Sequence, residues 1–240
     1  MTLTFIGTRG YIDARTRRHG RHSALLVALR GERIMIDCGE DWRGRLRALR
    51  PNALLVTHAH PDHAGGLDRG APCPVYATAE TRRLAARYPI SAWRIVKLRR
   101  PIRVSGFTVE AFRVAHSLRA PAVGYRISRG RTAFFYVPDV VAIAHRRAAL
   151  RGVKLFVGDG ATLTRPMVRR RGKALYGHTT IQAQLGWCRR EGVARAVFTH
   201  CGSEIVAGNA RRVGRRVRMM GKERGVNAQV AYDGLELVLA

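Results

Sequence analysis

The stretch Ala53-Leu-Leu-Val-Thr-His-Ala-His-Pro-Asp-His-Ala-Gly-Gly66 sets the reading of everything around it. Residues 53–56 have the length and branching of a buried strand, and the apolar run stops at Thr57. Four ligand-type side chains follow within six residues, His58, His60, Asp62 and His63. Pro61 stiffens the turn between them, and Gly65-Gly66 lets the backbone fold back closely. Any one of these histidines alone reads as an ordinary loop residue. As a set at the end of an apolar strand they make a metal cradle, because imidazole nitrogens with a carboxylate suit zinc, manganese or iron rather than calcium or copper(I).

Outward from this stretch the same pattern, a strand and then a ligand type, recurs. Residues 107–114 read as a strand leading to His116, residues 132–137 as one leading to Asp139, and residues 195–198 as one delivering His200. Taken singly, His116 reads more readily as a surface histidine, and Asp139 is open to being a helix cap. Further strands are expected at 2–6, 74–76 and 154–158, the last ending at Asp159, with hairpins pairing 23–29 to 33–37 and 122–127 to 132–137. Residues 95–97 and 102–104 join 107–114 as short strands of a second sheet, and 227–232 with 235–239 make a final hairpin around Asp233-Gly234. Helical spacing marks 42–49, 80–88, 181–191 and about 205–224, and basic loops cover 11–22 and 165–173.

Nothing in the 240 residues resembles a linker or an internal repeat, so residues 1–240 are expected to form one domain. No apolar run reaches the roughly 18 residues of a membrane helix, so no membrane partner is expected. The start lacks the basic segment and long apolar centre of a signal peptide. The four cysteines, Cys38, Cys73, Cys188 and Cys201, are scattered without a Cys-x-x-Cys pair, which agrees with a cytoplasmic location. The formal charge of +28 comes from 44 basic residues against 16 acidic ones. A codon bias toward arginine explains the choice of Arg over Lys. It explains the shortage of acids less easily, which favours a polyanionic partner, RNA or DNA.

The run His-x-His-x-Asp-His with Ala-Gly-Gly after it is similar to the signature of the metallo-β-lactamase superfamily. The opening Leu3-Thr-Phe-Ile-Gly-Thr8, then Ser23-Ala-Leu-Leu-Val27, Ile36-Asp-Cys-Gly-Glu40 and Gly177-His-Thr-Thr180, resembles its ribonuclease Z branch and the related cyclic-phosphate phosphodiesterases. The resemblance implies an α/β (α+β) chain folded as a four-layer αββα sandwich. It implies two divalent metal ions, zinc first and manganese or iron as alternatives. His58, His60 and His116 would hold one, Asp62, His63 and His200 the other, and Asp139 would bridge them. Asp37 would support the metal loop from behind, although a strand-ending Asp is also a common turn former.

Two metals lower the pKa of a shared water and stabilise both oxygens of an in-line displacement, which suits phosphodiesters. Asp62 would also orient the attacking water. His178 matches a family histidine that is not a metal ligand but contacts the scissile phosphate and assists the leaving oxygen, and Asp159 lies where an acidic residue can orient it. The alternative for His178 is a surface histidine before a helix. No Gly/Pro-rich insertion lies between His63 and His116 like the arm with which ribonuclease Z grips transfer RNA, so the two basic loops are the candidates to replace it. The expected activity is therefore that of a nuclease on RNA or DNA, and a homodimer follows from the resemblance. The alternatives are a hydrolase of a small cyclic phosphodiester, thioester or lactone, and a non-catalytic nucleic-acid-binding module stabilised by metal.

Overall fold

A computed structural model describes residues 1–240. Its strands, in chain order, begin with β1 (Thr2–Gly7), β2 (Ala24–Leu29), β3 (Glu32–Ile36), β4 (Ala53–Leu55), β5 (Val75–Ala77), β6 (Trp93–Ile95), β7 (Ile102–Val104) and β8 (Phe107–Ala115). They continue with β9 (Ala122–Arg129), β10 (Thr132–Tyr136), β11 (Ala142–Ile143), β12 (Leu155–Asp159), β13 (Met167–Arg171), β14 (Ala174–His178), β15 (Arg195–Thr199), β16 (Asn227–Val230) and β17 (Leu235–Val238). One mixed sheet has the order β17-β1-β2-β3-β4-β5-β6, and the other runs β11-β8-β9-β10-β12-β15-β16 with β7 on β8. The pair β13-β14 stands apart as a two-stranded ribbon.

The period-2 alternation of the strands explains the layering. In β10, Phe134 and Tyr136 point between the sheets, where they meet Leu3, Phe5 and Leu25, while Phe135 faces the other way. In β12, Leu155 and Val157 face inward and Phe156 outward. The outward side chains pack under the helices Ile181–Arg190 and Ala210–Lys222 through Leu185, Val213 and Val217. On the far side of the first sheet, Met35, Leu54 and Val56 pack with Trp42, Leu67 and Tyr88. The result is the αββα sandwich, with one apolar layer between the sheets and one outside each.

Several expected elements take a different form. The helical segment at 42–49 is only a short turn around Glu40–Trp42 and a single helical turn, Leu46–Leu49, because Gly44 between them sits at φ +73°. The helix expected at 80–88 ends at Leu84. The strand expected at 95–97 in the second sheet is β6, parallel to β5 at the edge of the first; the chain reaches the second sheet only at Leu98 and Arg99, which meet Ala111. The basic helix is two helices, Ser203–Val206 and Ala210–Lys222, the second restarted by the Asn209 side chain accepting from Arg212 N at 3.0 Å.

The final hairpin does not form. β16 lies parallel to β15 in the second sheet, and β17 antiparallel to β1 in the first. The turn between them is held by Asp233, which accepts bonds from the Thr8 hydroxyl and the Gly20 and Arg21 amides, so it carries the chain from one sheet to the other. The loop expected at 165–173 instead holds β13 and the turn into β14, the two strands antiparallel with Met167 opposite His178.

Strand direction then positions the functional residues. β3 and β4 are parallel, and so are β10, β12 and β15. β8 is two antiparallel steps from β10 and runs the same way. The carboxyl ends of these strands, which lead into Asp37, His58, His116, Asp139, Asp159 and His200, thus lie at matching ends of their sheets.

Candidate metal centre

The central loop is shaped locally. Pro61 opens the short helix Pro61–Ala64, where its missing N–H costs nothing, and His60 precedes it in extended conformation. The loop is pinned from below: Cys38 N donates to the His63 carbonyl at 2.7 Å, and a Cβ on Gly39 would fall 2.1 Å from the Asp62 carbonyl oxygen. Asp37 and His200 both hold positive φ, +61° and +52°, strain of the kind that persists where the surroundings over-determine a backbone.

Three ring nitrogens converge at one point: His58 Nε2 lies 2.9 Å from His60 Nδ1, which lies 3.4 Å from His116 Nε2. Beside them a second group closes around the Asp62 carboxylate, whose Oδ2 lies 3.2 Å from His63 Nε2 and 3.1 Å from His200 Nε2. The Asp139 carboxylate stands between the two groups, 2.8 Å from His63 Nε2, 3.3 Å from His200 Nε2 and 3.7 Å from His116 Nε2. The structure thus brings the seven side chains together, His58, His60 and His116 in one group and Asp62, His63 and His200 in another, with Asp139 between them.

The outer face of each ring is held by an acceptor. His63 Nδ1 donates to Asp37 Oδ2 at 2.9 Å, and the same carboxylate accepts from the Thr57 amide at 2.8 Å and from its hydroxyl. His58 Nδ1 faces the Thr57 hydroxyl at 3.1 Å, His60 Nε2 faces the Ser117 hydroxyl at 3.2 Å, and His116 Nδ1 donates to the Gly177 carbonyl at 3.1 Å. With the outward nitrogen carrying the proton, the inward nitrogen of each of these rings offers a lone pair. His200 is the exception, its buried Nδ1 lacking a hydrogen-bond partner.

Charge in the centre is unbalanced. Burial presses His63 toward neutrality, but Asp62, Asp139 and Asp37 outweigh it and hold its pKa well above the usual value. Burial raises the Asp139 carboxyl, yet His200, His63 and His116 overcome this and keep it well below the carboxylate range. Burial and the neighbouring His63 and His116 drive His58 well below an ordinary histidine. His63 Nε2 and Asp139 Oδ2 are both buried without a properly formed hydrogen bond although only 2.8 Å apart. Buried carboxylates short of cations, inward lone pairs and orphaned donor atoms fit two divalent ions.

At the rim, His178 ends β14. Its Nδ1 donates to Asp159 Oδ2 at 2.8 Å, and Asp159 is fully buried, clamped by the Val140 and Ala161 amides and by Gln184. Burial lowers the His178 pKa, but the Asp159 charge and hydrogen bond prevail and raise it to about 9. Its Nε2 has no protein partner, and the residue lines an open cavity of about 770 Å³ with Tyr11, Arg165, Arg169 and Tyr176.

Of the two basic loops expected to grip substrate, the first is mostly spent on structure. His19 and His22 are buried, Arg15 pairs with Asp41 at 2.9 Å, and Arg18 and Arg21 lie over the Tyr232 and Trp42 rings. The supporting roles of Thr57, Ser117 and Gln184 were not foreseen, nor that of buried Arg9, which ties Asp41 to His22. Thr57, adjoining His58, was the one with a readable signal. The Gly177 carbonyl offers none, since any residue supplies one.

Two facing mixed sheets under helices, with histidines and aspartates gathered at the strand ends, define a metal-dependent hydrolase fold. The chain belongs to the metallo-β-lactamase superfamily: the family model described as Beta-lactamase superfamily domain matches residues 32–201. It is 27% identical over 192 residues to a ribonuclease Z of Methanopyrus kandleri, covering 69% of this chain and 63% of that one. It is 30% identical over 167 residues to a ribonuclease Z of Thermosynechococcus vestitus, covering 60% and 40%. The chain thus spans less than two thirds of the length of these curated relatives. A diphosphatase from the PhnP family shares the fold over 100% of this chain and 98% of its own, with TM-score 0.74 and 21% identity. No helix is long and apolar enough to cross a membrane.

Proposed function

We propose that the chain is a two-metal phosphodiesterase that hydrolyses RNA, with His58, His60 and His116 holding one ion, Asp62, His63 and His200 the other, and Asp139 shared. The nitrogen-rich donor set favours zinc over harder ions. When bound, the ions acidify a water and stabilise the attacking and leaving oxygens of an in-line displacement. Asp62 also accepts a hydrogen bond from the attacking water and orients it.

The observation that carries phosphorus chemistry is His178. Its Nδ1 is committed to a buried carboxylate and its Nε2 is left to the cavity, which is the arrangement of a histidine held protonated to give a proton to a departing oxygen. The relatives named ribonuclease Z support RNA as the substrate. The test is cleavage of end-labelled single-stranded RNA, a transfer-RNA precursor and bis(4-nitrophenyl) phosphate by metal-loaded protein. Asp62→Ala is expected to abolish all cleavage. His178→Ala is expected to lower turnover by roughly 10²–10⁴-fold, the usual contribution of general acid catalysis, with metal content intact. Metal loss in the His178 variant would remove it from this role.

A second reading is hydrolysis of a small cyclic phosphodiester, favoured by a cavity of about 770 Å³, within the range of small-molecule sites. Cleavage of cyclic nucleotides with no cutting of any polymer would select it.

A further inference from the structure

The ribbon of β13 and β14 is attached to the body only near its base. Gly177 N donates to the His116 carbonyl at 2.7 Å and Thr179 N to the Val140 carbonyl at 2.8 Å, while residues 164–175 are exposed throughout. It carries Arg165, Arg169, Arg170, Arg171 and Lys173, none of them in an ion pair. Arg169 stands opposite Tyr176 across the ribbon, and both line the cavity together with Tyr11, which is 64% exposed. Cations and exposed aromatic faces in one groove are the features that hold a single nucleic-acid strand, by phosphate contact and base stacking.

A second groove, of about 500 Å³, lies along the helix Ala210–Lys222 and is lined by Thr164, Arg212, Arg215, Arg216, Met219 and Glu223. The helix contains no acidic residue, and its buried face is Val213, Val217 and Met220. Its outer arginines Arg211, Arg212, Arg215 and Arg218 have no carboxylate partner, and Glu223 is taken up by Arg224 at 3.1 Å. Arg216 joins the two grooves. Its guanidinium holds Glu204, in the wall of the cavity, at 3.1 Å and the Thr164 hydroxyl, next to Arg165, at 3.0 Å.

We infer that the ribbon and the arginine face of this helix form one continuous phosphate track, which holds a single RNA strand leading away from the reaction centre and takes the place of a separate gripping arm. The inference rests on the phosphodiesterase reading for the identity of the strand. The order along the track is His178, then Arg165 and Arg169, then Arg212 and Arg215. Arg216, tied at both ends, positions the join.

The test is binding of a phosphorothioate-linked single-stranded RNA oligonucleotide to the metal-loaded protein over a series of salt concentrations. Each phosphate contact contributes about 0.7 to the slope of log K against log salt for a single strand. Arg165→Ala with Arg169→Ala is therefore expected to flatten the slope by about 1.4, Arg212→Ala with Arg215→Ala by about the same, and the four together by about 2.8. The Arg165→Lys and Arg169→Lys pair keeps the slope, because the charge remains. Hydrolysis of bis(4-nitrophenyl) phosphate by the Arg212 and Arg215 variant stays at the native rate, since that small ester does not reach the helix. A full slope in either alanine pair, or an equal fall on the small ester in the helix pair, overturns the track. If the native protein cuts RNA while both alanine pairs keep the full slope, the track alone fails. If it binds RNA through both pairs yet never cuts it, the nuclease reading fails and the track stands.

Discussion

His178 acts through one hydrogen bond, and that makes its role testable by pH. Asp159 holds the imidazole protonated up to about pH 9 in the metal-free chain, and bound dications nearby lower that value. A group needed in its protonated form supports activity below its pKa and loses it as pH rises through it. Asp159→Asn removes the charge while keeping the size, so the alkaline limb of kcat/KM moves to lower pH with metal content unchanged. A limb that stays in place would mean another group titrates. The pairing of these two side chains was only weakly legible in the chain, because the whole β13-β14 ribbon lies between Asp159, at the end of β12, and His178, at the end of β14. The run from His58 to His63 was fully legible, since its donors are neighbours in sequence.

At the scale of elements, the metal loop depends on how closely two backbones approach. Gly39→Ala places a methyl 2.1 Å from the Asp62 carbonyl oxygen and 2.6 Å from His22 Cβ, and one or both must move. Overpacking of this kind costs about 1–3 kcal/mol. The expected outcome is a lower unfolding midpoint together with weaker metal retention, read by chelator competition; native retention would mean the loop absorbs the methyl without shifting its ligands. The ribbon has a similar dependence at Gly177, whose φ of +103° and 2.0 Å approach to the Met167 carbonyl leave no room for a side chain. An isolated two-stranded ribbon is marginal by itself, and its exposed basic composition gives the sequence pattern of a loop. That is why residues 165–173 read as one.

Across the whole molecule, the loop of residues 11–22 ties the N-terminal strand to the turn at Asp233 and to Asp41 through buried groups. His19 lies 2.9 Å from the Thr8 hydroxyl, and burial with Arg18 nearby lowers its pKa to about 4. Its neutral form is the folded one. Below about pH 6.5 the unfolded chain takes up a proton that the folded chain refuses, so stability falls with pH down to about 4 and then levels. His19→Gln removes this linkage, and its unfolding free energy is expected to decline less between those limits, measured by urea denaturation at several pH values. An unchanged pH dependence would show that other groups govern acid sensitivity. Much of the basic charge in this loop is thus structural, whereas the ribbon's Arg165, Arg169, Arg170, Arg171 and Lys173 and the helix's Arg211, Arg212, Arg215 and Arg218 have no acidic partner.

The sequence by itself carried the strand-then-ligand pattern and the donor run from His58 to His63, because periods of 2 and 3.6 residues and the chemistry of neighbouring side chains are local properties, while the sandwich and the remaining candidate ligands followed from the family resemblance. Only the tertiary structure decided that β6 and β17 join the first sheet, that the Gly177 carbonyl supports His116, and which arginines remain unpaired. Sheet partners, backbone acceptors and ion pairs are chosen between residues far apart in the chain, and no local pattern carries that information.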